Sequence, residues 1–225
     1  MLRSRSVSPK HADSKVPSIL LFCGPSGIGK STLISRLMAD FPGRFGFSVS
    51  HTTRLPRVGE VNGVHYHFTQ PERIQGDISR GAFLEHALVH GNHYGTSFNA
   101  INAVKENGLI CILDIDVQGV DTVKKSTRMD QDDVVFVMLV PPSIEELEKR
   151  LRHRNTDSEE VIARRVARAA DELKWRDIDQ YWDSILVNDN IDVCYSELVA
   201  LVKKIFRLSP QNDAVGHFSV RKQPL

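Results

Sequence analysis

Lys30 and Ser31 stand directly behind Gly24-Pro25-Ser26-Gly27-Ile28-Gly29, completing a G-x-x-x-x-G-K-S spacing. That spacing suits phosphate binding. Glycines let successive backbone N–H groups turn toward one anion, where a side chain would block the approach. The lysine reaches the outer phosphates of a nucleotide, and the serine hydroxyl binds Mg²⁺.

Three further sets of residues have types that fit the same chemistry. Arg54 and Arg57 lie three apart in a polar stretch, His51 to Glu60. Arginine matches planar phosphate oxygens, although two arginines in a polar loop also read as plain solvated side chains. Asp114 and Asp116 end the apolar run Leu109-Ile110-Cys111-Ile112-Leu113. Acids at the end of a buried parallel strand lie in the crevice where α/β sheets bind ligands; a cap on the following turn is the alternative. Arg150, Arg152, Arg154, Arg164, Arg165 and Arg168 cluster on two consecutive amphipathic stretches. As a helical hairpin these are either a solvated surface or a lid that brings cations to a transferring phosphate. No general base stands out. Transfer between phosphates needs none, because the acceptor oxygen is already anionic and catalysis is positioning plus charge neutralisation.

The elements that must hold these groups follow from apolar patterning. Ser18 to Cys23 and Val134 to Val140 are continuous apolar runs, as expected of strands buried on both faces of a parallel sheet. Ser31 to Leu37 reads as a helix, and Phe45 to Ser50 alternates like a second strand. Asn62-Gly63 signals a turn, with a strand over 64–68 beyond it. A helix is expected over 72–80, an extended segment over 81–89 and a turn over 91–96. Phe98 to Asn107 reads as a helix ending at Gly108. Ser143-x-x-Glu146 is a capping box that starts a helix reaching about Arg154, and a second helix starts near Ser158. Ser184 to Asp189 is a short last strand. Asp192 to Phe206 is the last helix, with Val193, Leu198, Leu201, Val202 and Ile205 as its expected buried stripe. The expected architecture is α/β, a parallel sheet flanked by helices, with an inserted mixed-sheet lobe and a helical lid. No role follows from the sequence for the aromatic Trp175 to Trp182 region.

Bulk properties narrow the classes. The chain has 225 residues, 41% hydrophobic and 25% charged, enough to bury a substantial core. A net charge of +1 gives no global case for nucleic-acid or membrane partners. Cys23, Cys111 and Cys194 are far apart and form no C-x-x-C, which argues against a disulfide framework and for a reducing compartment. Residues 1–16 are basic and Ser-rich and read as a disordered tail, with an organellar presequence left open. Residues 209–225 read as a second polar tail.

The segments G-P-S-G-I-G-K-S, F-G-F-S-V-S-H-T-T-R-L-P-R-V-G-E-V-N-G, Y-H-F, Y-G-T and I-L-D-I-D-V-Q-G, in that order, resemble guanylate kinase from about Pro17 to Phe206. The resemblance implies a P-loop NTPase-type fold over 17–208, with a core of 17–50 and 98–206, a GMP-binding lobe of 51–97 and a lid of about 149–170. It implies phosphoryl transfer from MgATP to GMP or dGMP by a cytoplasmic monomer with no nucleic-acid or membrane partner. ATP would be bound by Gly24, Pro25, Ser26, Gly27, Ile28, Gly29, Lys30, Ser31 and Thr32, with Asn188 on the adenine side. Arg54, Arg57, Tyr66 and Tyr94 match positions that hold the GMP phosphate. Glu85 matches the position that reads the guanine edge, with Ser50, Gly95, Thr96 and Asp116 beside it. Ser31 and Asp114 fall on the Mg²⁺ side. Lys30, Arg54, Arg150, Arg154 and Arg165 match the catalytic cations. Asn155 stands where the lid turn of the family usually has Gly. A catalytically inactive guanylate-kinase-like module that binds peptides is the alternative; such modules typically lose the phosphate loop and lid arginines retained here.

Overall fold

The computed structural model describes residues 5–6, 15–89, 91–153, 157–178 and 180–208. In chain order the strands and helices are β1 (Arg5–Ser6), β2 (Ile19–Cys23), α1 (Lys30–Asp40), β3 (Phe45–Phe47), β4 (His51–Thr52), β5 (His67–Phe68), α2 (Pro71–Ser79), β6 (Phe83–Val89), β7 (Asn92–Ser97), α3 (Phe98–Glu106), β8 (Ile110–Asp114), α4 (Val117–Lys125), β9 (Val134–Val140), α5 (Ile144–His153), α6 (Glu159–Leu173), β10 (Ser184–Val187) and α7 (Ile191–Ile205).

The main sheet runs β1-β10-β9-β2-β8-β3. All its pairings are parallel except the edge pair, where β1 runs antiparallel to β10. That edge strand falls inside the segment expected to be a disordered tail. Every residue of β2 and β9 is buried. Alternate residues divide between two cores, as the pleat requires. Leu20, Phe22, Val135, Val137 and Leu139 face α1 and α7, whereas Ile19, Leu21, Val134, Phe136 and Met138 face α3 and α4. Each such side chain contributes roughly 1.5–3 kcal/mol by leaving water. Among the described residues no helix is long and apolar enough to cross a membrane.

The second sheet, β5-β4-β7-β6, is mixed: β4 and β5 are parallel, while β7 is antiparallel to both β4 and β6. Here the structure departs from local sequence signals. His51–Thr52, expected in a polar loop, is β4, and most of the expected turn at 91–96 is β7. The cause is strand pairing. β7 meets β6 from Phe83↔Ser97 to Val89↔Asn92 and meets β4 at His51↔Gly95, so its backbone groups find partners despite its Gly and polar content. The expected strand over 64–68 shrinks to β5, because Gly63 to His65 form a turn and leave Val64 exposed. Helix α4, which no apolar run announced, begins where the Asp116 carboxylate accepts from Gly119 N at 2.9 Å. In α7, Cys194, Tyr195, Leu198 and Val202 make the buried stripe, and Val193 is 59% exposed.

The aromatic region after α6 is structural. Trp182 is buried in the second core and donates Nε1–H to Trp175 O at 2.8 Å. Tyr181 packs edge-on between the two tryptophans, at 5.4 and 5.3 Å. Together they seal that core where the chain passes from α6 to β10.

Candidate active site

The glycine loop joins β2 to α1 at the carboxyl end of the main sheet, and β2 lies between β8 and β9. Gly27 and Gly29 have φ of +90° and +100°, which side chains rarely adopt. A Cβ on Gly27 would meet Leu151 Cδ2 of α5 at 2.7 Å, and one on Gly29 would meet Asn188 Nδ2 at 2.7 Å. The loop is thus seated between α5 and the end of β10. Ile28 is buried beneath it. Lys30 Nζ donates to Gly24 O, and to Pro25 O at 3.3 Å, and lies 3.7 Å from Asp114 Oδ1. Burial pushes the Asp114 carboxyl above the usual range, and Lys30 pulls against it. Ser31 and Thr32 open α1 with exposed side chains.

A cleft of about 910 Å³ lies over this loop. Its lining includes Gly24, Pro25, Ser26, Gly27, Gly29, Lys30 and Ser31 on one side and Arg57, Tyr66 and Tyr94 on the other, with Asp114 and Asp116 between. The two phenol rings stand edge to face with centroids 6.0 Å apart. Burial raises the Tyr66 phenol above its ordinary range, so its O–H is a donor at neutral pH. Arg54 stands one shell back. Its guanidinium holds Glu60 through two bonds of 2.8 and 2.9 Å and lies 5.4 Å from the Tyr66 ring centroid. That pairing, with Arg57 N, holds the Glu60 carboxyl down at about 2.

A second cavity of about 190 Å³ adjoins the first, sharing Tyr66, Tyr94, Asp114 and Asp116 with it. Ser50, Glu85 and Gly95 complete its polar lining with Arg168. Glu85 is only 7% exposed and pairs across the β6–β7 ladder with Thr96, itself buried. Burial raises the Glu85 carboxyl to about 7; Asp116 adds to the rise, and the polar groups of Thr96 oppose it. A carboxylate here faces a cavity where it can accept from two adjacent N–H donors.

The α5–α6 hairpin roofs the cleft. Asp157, Val161, Arg164, Arg165, Arg168 and Glu172 line it from α6 and the turn before it. Arg165 Nη1 donates to Ser26 Oγ at 3.1 Å. Arg150 turns elsewhere: its Nη1 and Nη2 donate to Asn188 O and Asp189 O at 2.6 and 2.9 Å. Asn188 is buried, and its Nδ2 donates to Ile28 O at 2.6 Å, so it supports the loop from beneath. Arg154 and Asn155 lie outside the described residues. Glu172 was not expected at the site, and Arg168 only as one of the lid's arginines. The spacing 161, 164, 165, 168, 172 puts one face of α6 toward the cleft.

The donor set beside Lys30 fits a small hard cation. The Ser31 hydroxyl and the Asp114 carboxylate are oxygen donors that both line the cleft, and Mg²⁺ prefers a few such oxygens together with phosphate oxygens and water.

The guanylate kinase family model matches residues 16–205. Guanylate kinase 1 of Oryza sativa subsp. japonica is 50% identical over 194 residues, covering 86% of this chain and 49% of the relative. The chain therefore spans about half the length of that relative. Guanylate kinase of Homo sapiens is 44% identical over 182 residues, covering 81% of this chain and 90% of the human one. The crystal structure of guanylate kinase from Anaplasma phagocytophilum superposes with a TM-score of 0.61 at 28% identity, covering 84% of this chain and 86% of that one.

Proposed function

The chain belongs to the guanylate kinase family, and from that premise we propose that it reversibly transfers the terminal phosphoryl group of MgATP to GMP or dGMP, giving ADP and GDP. The observation that carries this reading is the facing of two anion sites across one cleft. Lys30 and the glycine loop stand on one wall, Arg57, Tyr66 and Tyr94 on the other, with Glu85 in the adjoining cavity.

In this reading the loop N–H groups and Lys30 hold the donor phosphates, with the start of α1 adding its dipole. Arg57 and the two phenols hold the acceptor phosphate; Arg54, kept in place by Glu60, adds charge behind the rings. Ionised Glu85 accepts from the N1–H and 2-amino groups of guanine, where adenine would offer an unprotonated N1. Ser50, Gly95, Thr96 and Asp116 complete the base site. Arg165 neutralises charge on the moving phosphoryl group, and the hairpin over the cleft excludes water as a competing acceptor. Ser31 and Asp114 would hold Mg²⁺, which screens the phosphate charges when bound. Asn188 and Arg150 maintain the loop and the end of β10 on which the adenine side rests.

The working unit in this reading is a monomer acting on small-molecule substrates. Cys23, Cys111 and Cys194 are free and buried, which supports a reducing compartment such as the cytoplasm. The peptide-binding alternative is disfavoured because Lys30, Ser31 and Arg165 all line the cleft. Chromatography of a mixture of the chain, ATP, GMP and Mg²⁺ tests the reading: GDP and ADP should form in equal amounts, and absence of GDP would reject it.

A further inference from the structure

Arg165 and Arg168 are three residues apart on α6, so they are neighbours on one helix face, yet they reach different sites. Arg165 Nη1 donates to Ser26 Oγ in the glycine loop at 3.1 Å. Arg168 Nη2 donates to Asp116 Oδ2 at 2.8 Å, and its Nε donates to Glu172 Oε1 at 2.8 Å. The other oxygen of Asp116 accepts from Gly119 N at the start of α4. Both carboxylate oxygens are therefore held, one by the start of α4 and one by the hairpin. Arg168 lines the phosphate cleft and the base cavity alike.

The hairpin has a small core of its own, formed by Leu147, Leu151, Ile162 and Ala169. It meets the second main core at Leu173, the last residue of α6. What ties α6 to the two sites is polar: Arg165 on the donor side and Arg168 on the acceptor side.

We propose that Arg168 is a positioning residue that couples closure of the hairpin to the acceptor pocket, so that donor and acceptor nucleotides bind cooperatively. The proposal rests on the reading of the cleft as an ATP and GMP site. With Asp116 held in its base-site orientation by Arg168, and the same helix held to the loop by Arg165, engagement of either site favours the closed arrangement that suits the other. An ion pair that is partly exposed on both sides gives an effect of about two- to fivefold. A merely structural pair would alter thermal stability and leave the coupling between ligands untouched.

The test is calorimetric titration of GMP into the full chain with Mg²⁺, with and without saturating β,γ-methylene ATP. In the wild type the analogue should tighten GMP binding several-fold. In Arg168→Ala that ratio should fall by about two- to fivefold toward one, and adding Asp116→Asn to this variant should lower it no further. Arg168→Lys, which keeps the charge and loses the two-pronged geometry, should give an intermediate ratio and serves if the alanine variant folds poorly. A wild-type ratio retained in Arg168→Ala or Arg168→Lys overturns the proposal, as does a wild-type ratio of one. A wild-type chain that binds no GMP overturns instead the reading beneath it, and the proposal with it.

Discussion

Replacing Glu85 by Gln should make the chain more stable and a far poorer acceptor-binding protein. Glu85 is buried, and its carboxyl titrates at about 7 against an ordinary 4.5. At roughly 1.4 kcal/mol per unit, ionising it inside the fold costs about 3 kcal/mol more than ionising it in the unfolded chain. Its pKa is raised on folding, so its stabilising contribution is complete below pH 4.5 and is lost as pH rises through about 7. Gln is neutral throughout. Glu85→Gln should therefore match the wild type at low pH and exceed it above pH 7 by about 2–3 kcal/mol, or roughly 5–10 °C in Tm. The cost appears in binding. The carboxylate accepts from two guanine donors, whereas Gln offers one acceptor and sets an NH₂ against the second donor. A buried mismatch of this kind costs about 2–4 kcal/mol, or roughly 30- to 1,000-fold in kcat/KM for GMP. KM for ATP should move less than twofold, because Glu85 does not line the phosphate cleft. An ADP-release assay at varied GMP from pH 5.5 to 9 reads the binding side. Wild-type KM for GMP should climb about tenfold per unit below pH 7, as Glu85 takes up a proton. The variant should show only the titration of the acceptor's phosphate near pH 6, common to both proteins. Equal losses for GMP and ATP would remove Glu85 from base reading, and identical melting curves at pH 8 would show that its ionisation carries no burial cost.

Two other substitutions separate the loop's chemistry from its support. Lys30→Ala should reduce kcat by about 10²–10⁴-fold with little change in Tm, since Lys30 bonds only loop carbonyls and Asp114; near-normal turnover would remove it from catalysis. Asn188→Ala deletes the buried bond to Ile28 O. It should lower stability by about 1–3 kcal/mol and raise KM for ATP while leaving KM for GMP within twofold, and an unchanged KM for ATP would show that the loop needs no such support.

Legibility followed sequence distance. The phosphate loop could be read because strand, loop and helix are contiguous, so one short segment contains both the ligand groups and what aims them. The two fully buried strands were legible because burial on both faces demands continuous apolar runs in Ile19–Cys23 and Val134–Val140. β4 is hidden because it owes its form to β7, some forty residues away, at His51↔Gly95 and Thr52↔Tyr94, and β7 because its Gly and polar residues read as a turn although β6 pairs with it along its length. The partners of polar side chains are hidden for the same reason. Arg150 stands among arginines on α5, and its guanidinium binds carbonyls at 188 and 189. Asn188 donates its amide to Ile28 O from 160 positions away. Arg168 and Asp116 are 52 residues apart, and nothing local to either names the other. The base-side role of Glu85 came from resemblance alone. Its burial and its contact with Thr96 are tertiary facts that a run such as Phe83-Leu84-Glu85-His86 does not encode.

In the proposed reaction one cleft passes a phosphoryl group from a nucleotide on the glycine loop to a monophosphate whose base is read by Glu85. The most direct measurement is kcat/KM in a coupled ADP-release assay with GMP, dGMP, AMP, CMP and UMP offered in turn at saturating MgATP. GMP and dGMP should be turned over, with AMP, CMP and UMP lower by about 10³-fold or more. Comparable turnover of AMP, or ADP release that no monophosphate stimulates, would contradict the account.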